Sequence, residues 1–351
     1  LPELTKIKIT MKKIKIIDVA EHAGVSKSTI SQFLSGRFNY MSEKTKAKIE
    51  AAILELDYVP NPIARSLKTD KTKTIGVIVR DITGYDTSRV LRGIDDFCKT
   101  SEYNVLIYNT DFDAETEARA LLSLKSMRVD GIIIASSGNN LETISKHVEA
   151  KFPLVQFQLE YDQCQTNIVL SDYREAAFQA TEYLIKLGHT KICFLTQEFE
   201  GIRSRDERYQ GYLAALNQYG IQQLPELVQY WDRANGFHTP LAETLISPAA
   251  PSVIFSQHLA ITIDVIKTLK QLNLNIPEDI SLLGFDDIPM VEHFKVPITV
   301  IKQNPYNVGI ESAKLLLNNI NNENLPITKI TIPCELVERE SCQRFIQKLG
   351  Q

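Results

Sequence analysis

Between residues 74 and 300 the chain repeats one rhythm twice. TIGVIV (74–79), NVLIYNT (104–110), GIIIAS (131–136) and PLVQFQ (153–158) are short, near-continuous apolar runs. Helical stretches at about 87–100, 114–126 and 142–149 separate them. Runs that are apolar at almost every position, not at alternate ones, belong to strands covered on both faces, and βαβ order makes those strands parallel. The same order returns from KICFLT (191–196) through SVIFSQ (252–257) and ISLLGF (280–285). Two α/β halves in tandem predict two doubly wound parallel-sheet lobes with a cleft between them. Ligands in such folds sit beyond the carboxyl ends of the strands.

The remaining composition narrows the function. The chain has 351 residues, 44% hydrophobic and 23% charged, as a soluble globular protein does. No run approaches the ~18 apolar residues of a membrane span, so no membrane partner is expected. The start lacks the apolar core of a secretory signal. Cys98, Cys164, Cys193, Cys334 and Cys342 are scattered, without a C-x-x-C pair, and read as reduced thiols of a cytoplasmic protein. The histidines show no H-x-x-x-H spacing, so no metal is expected. There is no G-x-S-x-G, Walker loop or G-x-G-x-x-G, hence no catalytic residue and no cofactor is expected. Asp286-Asp287 follows a strand and reads as a ligand-binding acid with a structural neighbour. His189 follows Gly188 at a helix end and reads as a dipole partner. Residues 1–10 precede Met11 and read as an upstream extension outside the fold.

The N-terminal sixth is charged differently from the rest. The whole chain carries 39 Lys and Arg against 43 Asp and Glu. Across residues 12–68, however, Lys12, Lys13, Lys15, Lys27, Arg37, Lys44, Lys46, Lys48, Arg65 and Lys68 outnumber Asp18, Glu21, Glu43, Glu50, Glu55 and Asp57. A basic excess on an acidic body fits a nucleic-acid module, although a solvated basic face gives the same pattern. Within it, IIDVAEHAGVSKSTISQFLSGR (16–37) predicts a helix from Ile16 to His22 with Ile17, Ala20 and Ala23 near one face. Gly24 then makes a left-handed corner, and Ser26 caps a second helix to about Leu34. This is helix-turn-helix spacing, whose second helix enters the major groove. A third helix is predicted after Ser42, with Ile49, Ala52, Ile53 and Leu56 on its apolar face. An ordinary helical hairpin shares the A…G…I pattern. The short polar and cationic outer faces favour DNA. In YVPNPIARSLKT (58–69), Asn61 and Pro62 start a helix of about two turns, too short to be stable alone. It is either a linker or a helix that folds when paired with its copy on DNA.

DVAEHAGVSKSTIS and MSEKTKAKIEAAILELDYVPNPIARSL together resemble the LacI/GalR family of bacterial transcription regulators. The resemblance continues through IGVIV, VDGIII, LIKLGHTKICFL, ERYQGYLAAL, ISLLGFDDIP and CELVERES, from about Lys13 to Ser341. It implies a mixed fold: an all-α helix-turn-helix headpiece (13–59), a hinge helix and linker (60–73), and a periplasmic-binding-protein-like α/β body (74–345). The first lobe would comprise about 74–171 and 303–332, the second about 172–302 and 333–345, with three crossings between them. On the DNA side it implies that Lys27, Ser28 and Gln32 meet base edges. Gln32 stands where arginine is common, and glutamine pairs with adenine whereas arginine prefers guanine. Thr29, Ser31 and Asn39 suit phosphates. Leu67 matches the family's minor-groove wedge, flanked by Asn61, Ala64 and Arg65; a leucine packed on the body is the alternative. On the ligand side the resemblance implies Arg208, Trp231, Asp286 and the strand-end Gln158. Asp86 and Gln257 are candidates at positions where this chain departs from the pattern. Gly84-Tyr85-Asp86 replaces an Asn-Pro-Phe turn, Gln257-His258 replaces Asn-Asp, and Gln158 replaces a common aspartate. Trp231 is expected as a ligand platform at a strand end, with a core position as the alternative. Arg203 and Arg205 leave an anionic sugar open but read first as a solvated loop.

The expectation is a cytoplasmic homodimer that binds a pseudo-palindromic double-stranded operator and represses carbohydrate-utilisation genes. A small sugar-like effector between the lobes would control it. A soluble sugar receptor is the first rival, disfavoured by the headpiece. A sugar- or nucleoside-processing enzyme is the second, disfavoured by the missing catalytic constellation.

Overall fold

The computed structural model describes residues 14–39, 41–59, 71–161, 165–199, 201–287, 290–322 and 324–346. The chain divides into two compact units between residues 72 and 73.

The first unit holds three helices, α1 (Ile16–Ala23), α2 (Lys27–Leu34) and α3 (Glu43–Glu55). Each end has a local cause. The Lys15 N–H donates to Asp18 at 2.6 Å, an acid in the positive first turn of α1. Gly24 ends that helix at φ 64°, a conformation that costs a residue with a Cβ about 1–2 kcal/mol. The Ser26 hydroxyl accepts from the Thr29 N–H at 3.1 Å, and Ser42 accepts from Thr45 at 3.2 Å. Val19, Ala20, Ala23, Ile30, Ile49, Ala52 and Tyr58 form the core, with Ile16, Phe33, Leu34 and Leu56 packed against it. Ile17, expected on the inner face, is exposed instead. The stripe runs through Ile16, Val19, Ala20 and Ala23, at i, i+3, i+4 and i+7, and Ile17 lies off it.

The second unit contains two sheets. The strands are β1 (Thr74–Val79), β2 (Asn104–Asn109), β3 (Gly131–Ile134), β4 (Leu154–Phe157), β5 (Asn167–Ser171), β6 (Ile192–Thr196), β7 (Val228–Asp232), β8 (Gly236–Phe237), β9 (Val253–Ser256), β10 (Ser281–Phe285), β11 (Thr299–Lys302), β12 (Lys329–Ile332) and β13 (Glu335–Val337). The first sheet has the order β12-β5-β4-β3-β1-β2, and every pair in it is parallel. The second has the order β13-β11-β10-β9-β6-β7-β8, with antiparallel pairing at both edges, β11 with β13 and β7 with β8. The chain leaves the first sheet after β5, returns after β11 and leaves again after β12.

Helices cover both sheets: α4 (Tyr85–Thr100), α5 (Ala114–Ser126), α6 (Leu141–Glu149), α7 (Tyr173–Lys186), α8 (Arg203–Gln218), α9 (Leu241–Ile246), α10 (Leu259–Gln271) and α11 (Pro305–Asn321). Each sheet has an apolar cluster on either face. Val77, Ile94 and Leu316 belong to one cluster of the first sheet, and Ile78, Leu121 and Ile144 to the other. Phe194, Tyr212 and Phe255 lie on one face of the second sheet, Ile254, Val265 and Leu282 on the other. That two-sided cover is why the strand sequences read as continuous apolar runs.

The cover of the first lobe depends on a contact with no room for a methyl group. A Cβ on Gly309 would lie 2.1 Å from the Val90 carbonyl oxygen, and one on Gly93 would lie 2.2 Å from that of Tyr306. Helices α4 and α11 therefore touch backbone to backbone. Gly309→Ala should cost about 2–3 kcal/mol, because the helices must separate and open their shared core. Urea unfolding followed by fluorescence measures this, since Trp231 is the single tryptophan and lies in the body. A loss under about 0.5 kcal/mol would mean that the helices move apart freely.

Candidate functional site

Two surfaces carry the candidate residues. On α2, Lys27, Ser28 and Gln32 are exposed, and Thr29 and Ser31 are half-buried. At 100° per residue, Lys27, Ser28, Ser31 and Gln32 fall within an arc of about 140°, turned away from Ile30 and Phe33. The inner residues anchor the helix, so the outer side chains project from a fixed base. The Ser26 hydroxyl lies 2.6 Å from that of Ser28 and 2.8 Å from that of Thr29. These hydroxyls are thus already oriented by the cap. Asn39 is exposed in the loop before α3. Asn61, Ala64, Arg65 and Leu67 lie outside the described residues.

The second surface is built at strand ends in the body. A small pocket is lined by Asp86 and Val90 of α4, Gln158 after β4, Ser171 at the end of β5, Tyr173, Gln303 after β11, and Pro305 and Val308 of α11. Elements of both lobes meet there. The Ser171 hydroxyl donates to the Gln303 amide oxygen at 2.5 Å, and the Gln303 amide nitrogen donates to Asp286 at 2.5 Å. The other oxygen of Asp286 accepts from the Leu259 N–H at 3.3 Å. Tyr173 donates its hydroxyl to the Gln158 carbonyl at 3.0 Å, and Arg80 donates to the Gln158 side chain at 3.1 Å. Gln158 adopts φ 69° and Asp286 φ 77°, both left-handed turns straight after a strand. Arg208 rises from α8 with its guanidinium 5.0 Å from the ring centres of both Tyr173 and Phe285. It also donates to the Ser204 and Gln257 carbonyls.

Burial and close charges shape the electrostatics. The carboxyl of Asp86 is pushed up to about 7, first by burial and then by the neighbouring Asp286. His258 is pushed down to about 4, first by burial, with Arg208, Arg233 and Arg80 adding to the effect. At neutral pH it is an uncharged imidazole, and its Nδ1 accepts the Ala260 N–H at 3.1 Å. The buried Oε1 of Gln257 has no hydrogen-bond partner among the described residues.

Asp86, Gln158, Asp286, Arg208 and Gln257 therefore converge on one region. Trp231 departs from the expected platform. It is buried in a core cluster of the second lobe, its Nε1 donates to Asp264 at 2.9 Å, and it is not among the residues lining the cavity. Arg203 pairs with Glu160 at 3.3 Å, and Arg205 donates to the Glu198 carbonyl. Asp287 pairs with Arg339 at 2.9 Å, as a structural neighbour would. His189 is not a dipole partner. Its ring is buried, with one nitrogen 2.8 Å from the Ser252 hydroxyl and the other donating to the Gln343 carbonyl at 3.1 Å. Arg80, Ser171, Tyr173 and Gln303 were missed. Three of them stand at or directly after the carboxyl end of a strand, the position that a doubly wound sheet assigns to ligands. Among the described residues no cluster suited to a metal ion occurs, and no helix is long and apolar enough to cross a membrane.

Residues 15–61 match the family described as bacterial regulatory proteins, lacI family, and residues 72–340 match the periplasmic binding proteins and sugar binding domain of the LacI family. The chain belongs to the LacI family. It is a LacI-family transcriptional regulator, and the family is one of regulators, not enzymes. The HTH-type transcriptional regulator EndR of Paenibacillus polymyxa is 36% identical over 305 residues, 86% of this chain and 89% of that protein. The ribose operon repressor of Escherichia coli is 31% identical, covering 92% of this chain and 98% of that protein. The lac repressor dimer bound to operator and an anti-inducer shares the fold at a TM-score of 0.81, with 24% identity over 95% of this chain and all of that one. A LacI-family regulator from Enterococcus faecium with bound ribose aligns at a TM-score of 0.65 and 26% identity, over 78% of this chain and 100% of that one.

The raised carboxyl in this regulator's cleft has a measurable consequence. Between about pH 4 and pH 7 the folded state keeps a proton on Asp86 that the unfolded chain has lost, so stability falls as pH rises through that window. Asp86→Asn removes the penalty. The variant should gain about 2 kcal/mol on the parent between about pH 4 and pH 8, a figure discounted from the shift for solvent and for relaxation. Urea titrations at several pH values give the difference. A constant difference would mean that Asp86 ionises as an ordinary carboxylate.

Proposed function

We propose that this LacI-family regulator represses genes of carbohydrate utilisation as a homodimer on a pseudo-palindromic operator, and that a small sugar-like effector bound between the lobes of the body controls it. The observation that carries the reading is the pairing of two features in one chain. One is a capped, core-anchored α2 with a polar outer arc; the other is a strand-end cavity where donors and acceptors of both lobes converge. Relatives of both kinds support it: a ribose operon repressor, and solved regulators with operator DNA or ribose bound.

On DNA, Lys27, Ser28 and Gln32 read base edges, while Thr29, Ser31 and Asn39 hold phosphates. Asn61, Ala64, Arg65 and Leu67 form the hinge segment, with Leu67 entering a central base step. In the body, Arg208, Asp286, Gln158, Asp86 and Gln257 take the effector. Trp231 contributes by holding β7 against α10. The effector acts by binding two arrangements of the lobes unequally, since equal binding shifts nothing.

The test begins with an operator selected from a random DNA pool. Gln32→Ala should weaken binding to it by about 1–3 kcal/mol and relax preference at one base pair per half-site. Lys12→Ala should weaken all sequences alike and reduce the salt dependence by about one counterion. If both variants return the same altered base preference, the division into reader and phosphate anchor is wrong. A body comprising residues 71–351 should bind no operator. Specific binding by that fragment would refute the placement of DNA recognition in the headpiece.

A further inference from the structure

We infer that the effector of this regulator carries an acidic oxyanion, a carboxylate or a phosphate on a sugar-sized body, received by Arg80, Arg208 and Arg233. The inference rests on the effector reading of the cleft given above and names the class of ligand.

Two guanidinium groups, those of Arg80 and Arg233, face one ring, that of Phe112, and the third, that of Arg208, donates to the carbonyl of Gln257, the residue before His258. Arg80 follows β1, Arg208 lies on α8, and Arg233 follows β7. Among the described residues none of the three has a carboxylate within ion-pair distance. Arg208 gives two of its five N–H donors to backbone carbonyls, which leaves others for a ligand. Arg80 gives one nitrogen to Gln158, while its Nε is buried with no hydrogen-bond partner. A buried cationic donor without a partner is costly, and a bidentate oxyanion is the acceptor whose shape fits it.

The neighbouring acids do not fill this role. Asp286 is bonded to Gln303 and the Leu259 N–H. Asp287 is paired with Arg339. Glu117 accepts the Ser137 N–H at 2.6 Å, along with Ser136 and Asn140. Asp81 accepts the backbone N–H and the hydroxyl of Thr83. Asp86 is pushed up towards neutrality. Asp286, Glu117 and Asp81 act on the guanidinium groups from a distance, but none of them caps a guanidinium by direct contact.

Phe112 adds the geometry. Its half-exposed ring has the Arg80 guanidinium 5.6 Å and the Arg233 guanidinium 5.2 Å from its centre. One cation comes from the first lobe and one from the second. Two like charges held by the same ring repel, and an anion beside them removes that repulsion while joining the lobes. Neutral hydroxyls can occupy the donors but cannot offset the charge.

Calorimetry on the full chain tests this with matched compounds: glucose, glucuronate and glucose 6-phosphate; galactose and galacturonate; ribose and ribose 5-phosphate. An acidic member should bind on the order of tenfold or more tighter than its neutral parent, as hydrogen bonds to charged groups allow. The carboxylate and phosphate arms separate the two sources of the oxyanion. Arg80→Met should collapse the ratio of acidic to neutral affinity. Arg233→Met should do the same from an exposed position where the fold is not at risk. Arg80→Lys should retain part of the ratio. A neutral parent that binds as well as its acid overturns the inference, as does a panel with no acidic binder, or a ratio that survives in both methionine variants. A neutral sugar that binds more tightly than every acid of the panel and changes operator affinity would overturn it while leaving the regulator reading intact. Acid binding with no effect on operator affinity would refute the effector reading, and with it the inference, while leaving an anion site in the cleft.

Discussion

One amide side chain ties the body together. Gln303 follows the last parallel strand of the second sheet, accepts from Ser171 at the end of the first sheet, and donates to Asp286 at the end of β10. A glutamine amide has one acceptor and one donor end, so it can read a hydroxyl and a carboxylate at once. Both bonds form within a largely buried junction where each lost partner would leave a desolvated polar group. The crossing strands keep the lobes together in sequence, and this relay fixes how their strand ends meet. Gln158 and Asp286 both turn left-handed immediately after a strand, and there Asp286 accepts from Gln303 while Gln158 accepts from Arg80 and Tyr173.

The headpiece was largely legible in the sequence. Ser26, Ser42 and Gly24 are local punctuation, and their effect does not depend on distant residues. The apolar stripe was read one position off at Ile17, because an eight-residue helix offers few repeats from which to fix its phase. In the body, strands with apolar runs on both faces stood out. β5 and the two-residue β8 were passed over, and β7 was read only at its end, at Trp231. β7, β12 and β13 are edge or near-edge strands, with patterns broken by half-buried and exposed positions. β5 is well buried, but its five residues follow a polar stretch that masks its start.

Site residues divided along a similar line. Arg208, Asp286 and Gln158 were found through motifs, and the cavity gathers their neighbours. Trp231 takes the core position that was the alternative to a platform; strand side chains alternate, and the face of a single residue depends on a register that the sequence does not state. Its partner Asp264 is thirty-three positions away. Arg80 and Gln303 were overlooked although both directly follow a strand. Position relative to a strand end carried more information here than residue type.

The backbone contact between α4 and α11 has an evolutionary consequence. Because a methyl group at Gly93 or Gly309 would press on the opposite backbone, substitution at the crossing of these two helices carries a cost whatever ligand the body takes. The residues that follow the strands, such as Arg80, Gln158 and Gln257, are held by side-chain and backbone hydrogen bonds and not by a backbone crossing, so their side chains can change without parting the helices. On such a scaffold the ligand site and the frame that holds it are separable: the strand ends can be rewritten while the helix crossing stays fixed.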